Sequence, residues 1–138
     1  MNRIEVSQRS ITVLRVMLSG IFLVAGINHV AVPGGVAKRL MASSMYRFFP
    51  EFLNPEILVI AVGVGLLIGG IFLLSNKFTR QAAMLLLILL VPITVSVQLQ
   101  GIETMGPLFK NIAIAGSLLF FIFNQFDNQK LVEYEEKS

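Results

Sequence analysis

Long apolar runs alternate with short polar connections along this chain. Four runs carry the pattern, at about residues 11–32, 57–74, 82–99 and 108–126, and the second holds no charged residue. A bilayer core of about 30 Å is crossed by roughly 20 helical residues, each rising about 1.5 Å. A lipid-facing segment must pair its backbone groups internally, which favours helices. The pattern therefore predicts an all-α membrane protein, a four-transmembrane-helix bundle forming one integral membrane domain over residues 1–138, with a polar tail at 127–138. Arg3 and Arg9 precede the first run as in a signal peptide. The run exceeds the roughly 7–15 residues of a signal core, and no small-x-small cleavage site follows, so it reads as a retained span.

The connections differ in character. Pro33, Gly34 and Gly35 close the first span. Residues 36–49 then read as a short amphipathic helix between spans one and two. Ala37, Leu40, Met41, Met45 and Phe48 share one arc; Lys38, Arg39, Ser43, Tyr46 and Arg47 take the rest. Such a segment is expected to lie in the membrane interface or to cap the bundle. Residues 75–81 form a tight polar loop and 101–107 a short turn.

Composition narrows the chemistry. The 138 residues are 55% hydrophobic and only 14% charged, against about 25% charged in a soluble domain. With a mean hydropathy of +0.78, this excludes a water-soluble globule and a disordered chain. No cysteine is present, which excludes disulfides, thiolate zinc sites and iron–sulfur ligation. A single histidine leaves no self-contained transition-metal site to expect. The net charge of +3 does not point to nucleic acid, because the basic residues lie between apolar runs, where topology needs them. Arg3, Arg9, Lys77, Arg80, Lys130 and Lys137 fall on the side of the termini; Lys38, Arg39, Arg47 and Lys110 fall on the other. The excess predicts both termini in the cytoplasm.

Polar residues inside spans are costly, so they are informative. Arg15, Ser19, Gly26 and His29 fall on one stripe of the first helix. Arg15 reads either as an anchor that snorkels to the interface or as a buried cation for a ligand head group. His29 reads either as a capped helix end or as a ligand-facing hydrogen-bonding group and proton carrier. Gly65 and Gly69 form a small-xxx-small pattern that lets another helix approach, and Gly63, off that face, is expected to tolerate a larger side chain better. In the third span Pro92 should kink the helix, while Thr94 and Gln98 share a face. Lys110 and Asn111 open the fourth span, and a buried amide needs partners. Ala113, Ala115, Gly116 and Ser117 offer a second small-residue surface. No acidic residue lies within a span, and no second histidine is present to clamp a haem.

Four pieces together resemble the DoxX family of small bacterial and archaeal membrane proteins. They are Arg15, the stretch Gly26-Ile27-Asn28-His29 followed by Pro33, the segment Gly65-Leu66-Leu67-Ile68-Gly69, and the run Phe109-Lys110-Asn111-Ile112-Ala113-Ile114-Ala115-Gly116. The resemblance extends over about residues 10–126. It implies a four-helix bundle in a bacterial or archaeal plasma membrane, associated with membrane oxidoreductase systems. The family takes its name from a quinone-reducing system that oxidises thiosulfate. Many relatives place a Glu near positions 61–64 and a His where Gln98 stands; here both groups are missing.

The expected role is an accessory or quinone-linked subunit of a membrane redox system. His29, Gln98 and Asn111, with Arg15 and Lys110, are the candidate ligand-binding residues; Gly26, Gly65, Gly69 and Gly116 are the candidate packing residues. A bound quinone is the candidate cofactor. The expected partners are the lipid bilayer, a redox subunit that supplies electrons and a second copy of the chain. Two rivals remain, a binding or transport protein for a small lipid-like molecule and an assembly subunit with no ligand.

Overall fold

A computed structural model of the protein describes residues 6–98 and 102–124. Within these, four long helices match the four apolar runs: α1 (Gln8–Ala31), α3 (Pro55–Leu74), α4 (Thr79–Gln98) and α5 (Met105–Phe123). All four are long and apolar enough to cross a membrane. The chain is thus a four-span helical bundle with no strand among the described residues. The ends of the predicted third and fourth spans, Leu99 and residues 125–126, and the tail at 127–138 lie outside the described residues.

Local chemistry fixes the helix ends. Pro33 disfavours helical geometry at the residue before it, and Val32 leaves the helix there. Asn54 caps α3, its side-chain oxygen accepting from the Glu56 N–H at 2.9 Å, with Pro55 at the first helical position. The turn from α3 to α4 places Asn76 and Phe78 at positive φ, and the Thr79 hydroxyl donates to Asn76 at 3.2 Å. α5 begins two residues before Pro107, which sits in the first turn, where its missing N–H costs nothing.

The amphipathic segment departs from the expected single helix over 36–49. It starts earlier, as α2 (Pro33–Ala42), and it breaks at Ser43 into a 3₁₀ turn at Ser44–Phe48. Ser43 is extended and buried, and its hydroxyl donates to the Leu40 carbonyl at 2.7 Å, which ends the helix. The break shifts the register of the apolar arc. Ala37 and Leu40 are buried, but Phe48, expected on the same face, is 83% exposed.

α3 is the central helix, packed on α1, α4 and α2, while α5 packs mainly on α4. Glycines line two of its faces. Gly63 and Gly70 face α1; Gly65 and Gly69 face Leu89 and Leu86 of α4. The two faces differ in what could yield. A methyl on Gly63 would stand 2.7 Å from His29 Cβ and 3.1 Å from the Gly26 carbonyl oxygen. One on Gly26 would stand 2.9 Å from the Gly63 carbonyl oxygen. At Gly65 and Gly69 the obstacles are leucine side chains. Gly63, expected to tolerate a larger side chain, thus stands where the two backbones cross. Gly116 meets nothing within 4 Å. α5 turns Asn111, Ile114, Leu118 and Phe121 inward, which leaves Gly116 exposed on the outer face rather than packed within the chain.

Gly26→Ala and Gly63→Ala should each lower the melting temperature in detergent by the equivalent of about 1–3 kcal/mol, the usual cost of overpacking. Gly65→Ala should cost less and Gly116→Ala nothing measurable; equal losses at all four positions would refute the crossing. Topology is testable on the same cysteine-free background. Ser43 is buried, so Ser44→Cys and Ser75→Cys, both at exposed positions, are the reporters. With cytoplasmic termini, a membrane-impermeant maleimide applied to intact cells should label position 44 and spare position 75.

Candidate functional site

His29 lies in the last turn of α1, at the glycine crossing. Its Nδ1 is 2.7 Å from the Ala25 carbonyl oxygen one turn back. A carbonyl can only accept, so Nδ1 carries the proton and donates. The half-buried ring is a wall of two adjoining cavities, which also share Val36 and Ile93.

One cavity, of about 180 Å³, lies between α3 and α4 beneath α2. Leu40, Phe49, Leu58, Leu89 and Pro92 help to make it almost wholly apolar. The other, of about 220 Å³, opens at the seam between α1 and α5, the most loosely packed neighbouring pair of spans. Phe22, Leu66, Leu90 and Ile114 line its body, with Asn111 within and Arg39 and Lys110 at its rim. Both cations are exposed and no acidic residue lines the cavity among the described residues, so its described rim is electropositive. Pockets for drug-sized ligands run to about 300–1,000 Å³; each of these two holds about one ring.

Asn111 is 7% exposed, so its amide needs partners. Its Nδ2 donates to Thr94 Oγ1 at 2.9 Å, and the Thr94 hydroxyl donates in turn to the Leu90 carbonyl at 2.8 Å. The Thr94 proton is thus committed, and Thr94 can only accept from Asn111. This fixes the amide orientation and ties α5 to α4 two residues beyond Pro92.

The structure brings together three of the five candidate ligand residues: His29, Asn111 and Lys110. The Gln98 side chain lies outside the described residues. Arg15 is elsewhere. The stripe does turn inward, with Arg15, Ser19 and Gly26 buried, but no described cavity is lined by Arg15. Its guanidinium carbon stands 5.7 Å from the centre of the Phe121 ring. Nε and Nη2 are buried and have no hydrogen-bond partner among the described residues. The side chain therefore does not snorkel. Arg39 was missed as a site residue. On sequence grounds it belonged to the polar arc of an interfacial helix, and only the fold of α2 over the bundle carries it to the cavity mouth.

The DoxX family profile matches residues 10–99, from the first turn of α1 past the end of α4. The chain belongs to the DoxX family. No characterised protein and no solved structure is detectably similar to it. The match covers four of the five helices that surround the cavities. Asn111 and Lys110 of this DoxX protein lie beyond it, on α5.

Arg15 gives a stability prediction. A buried charge without a partner costs more than an apolar side chain of similar volume. Arg15→Met should raise the melting temperature of the purified protein by a few degrees, on the order of 1 kcal/mol. A large fall would mean that a group outside the described residues meets the guanidinium.

Proposed function

We propose that this DoxX protein holds a quinone-like ring at His29, as an accessory or quinone-linked subunit of a membrane oxidoreductase system. The observation that supports this reading is the pair of cavities sharing one histidine wall. A quinone is a small ring with polar oxygens and an apolar tail. The seam cavity sets the His29 ring and the Asn111 amide beside the oxygens, and its neighbour offers aliphatic walls. The α1–α5 seam would admit such a molecule from the bilayer. The chain has no cysteine and a single histidine, so a partner subunit would supply the electrons, while this protein binds and orients the ring. Cytoplasmic termini in a bacterial or archaeal plasma membrane complete the proposal and place the site near the outer face. The loose seam also suits a carrier for a lipid-like solute, and flux of such a solute into liposomes of pure protein would favour that reading.

The test is quinone and hydroquinone together, recovered per mole of protein after mild detergent extraction. The protein should retain such a ring, oxidised or reduced, and His29→Ala should abolish retention without shifting the melting curve. Asn111→Leu should weaken it by about 1–3 kcal/mol, the cost of leaving a buried polar partner unmet. Lys77→Ala, in the α3–α4 turn, should do neither. Full retention by His29→Ala, or loss only through unfolding, would remove histidine from the site.

A further inference from the structure

The buried and half-buried groups of the seam cavity offer more acceptors than donors. A neutral imidazole has one N–H, and at His29 the Ala25 carbonyl takes it at 2.7 Å. Nε2 therefore carries a lone pair and accepts. No described residue donates to it. Asn111 spends one N–H on Thr94 Oγ1. It keeps Oδ1 as an acceptor, together with its second N–H. Lys110 and Arg39 donate, but they are exposed at the rim rather than enclosed beside the ring. The enclosed part of the cavity thus asks for a ligand that can donate.

From this polarity we infer that the seam cavity selects a hydroxyl-bearing ring, a hydroquinone, over the corresponding quinone. The inference rests on the reading that the cavity takes a quinone-like ring. A quinone oxygen has only lone pairs, so against Nε2 it would set acceptor against acceptor with no proton between them. A hydroquinone hydroxyl donates to Nε2 there. Near Asn111, a hydroxyl can donate to Oδ1 and accept from the remaining N–H. No electron moves in this step; the site discriminates between two redox states by their protons alone. Within an oxidoreductase system, such a site holds the reduced ring, so a neighbouring reaction must deliver hydroquinone to it or draw hydroquinone from it.

The experiment measures anaerobic binding to the full-length protein in lipid nanodiscs, with empty nanodiscs subtracted. Three probes of one shape are compared: duroquinol, duroquinone and duroquinol dimethyl ether, which has no proton to donate. Duroquinol should bind about tenfold more tightly than either of the others, the ratio expected when one buried hydrogen bond separates two ligands. His29→Leu should bring the three affinities together by weakening duroquinol alone. The dimethyl ether makes the same comparison on the unaltered protein, should the variant fold poorly. Duroquinone or the ether binding as tightly as duroquinol would overturn the selectivity while leaving ring binding in place. No probe binding above empty nanodiscs would overturn the reading of the cavity itself.

Discussion

Two helix backbones can meet only where no side chain stands between them, and here that happens at Gly26 and Gly63. A methyl at either position would lie about as close to the other helix's carbonyl oxygen as a hydrogen-bonded atom does. The crossing fixes more than the distance between α1 and α3. His29 follows Gly26 by one turn, and its Cβ occupies the space that a side chain at position 63 would take. The histidine is therefore held by the same contact that holds the helices, and its ring is delivered to the edge of both cavities. In lipid there is little hydrophobic drive to bring helices together, so close packing at small residues carries much of the association.

The α4–α5 pair is held by different means. Pro92 removes one N–H from the α4 ladder. Two residues on, the Thr94 hydroxyl donates to the Leu90 carbonyl and accepts from the Asn111 amide N–H. A buried asparagine in a span would be a liability alone, and here its main obligation is met across the helix boundary. The arrangement leaves Asn111 with spare hydrogen-bonding capacity at the same depth as His29. Neither residue makes the site alone. The loose α1–α5 seam lies between them, and its rim is positive because Arg39 and Lys110 approach from different elements.

Arg15 occupies the opposite end of α1 and belongs to another problem. It stands over an aromatic face, two of its nitrogens lack partners among the described residues, and Ser19 bonds back to its carbonyl at 2.7 Å. The described acids Glu51, Glu56 and Glu103 all sit toward the far end of the bundle. The stripe that joins Arg15 to His29 in sequence is thus one buried face serving two separate environments, about 20 Å apart along the helix.

The number of helices, their approximate ends and their membrane character were legible in the sequence, because the length of an apolar run is a one-dimensional property that bilayer thickness reads directly. The inward turn of the Arg15–His29 stripe was legible too, since helical periodicity places residues on a face. Which partner each face meets was not. Gly63 looked less important than Gly65 and Gly69 because spacing on one helix says nothing about whether a backbone or a leucine tip lies opposite. Gly116 looked like a packing residue and faces outward, because Asn111, Ile114, Leu118 and Phe121 claim the interior. Arg39 looked interfacial and reaches the cavity mouth only because the chain turns at Val32 and packs α2 against α3. The sequence by itself determined the spans and the inventory of polar groups. The tertiary structure decided which of them share a cavity and which protons are already spent, because a hydrogen bond between helices depends on crossing points that no single helix encodes.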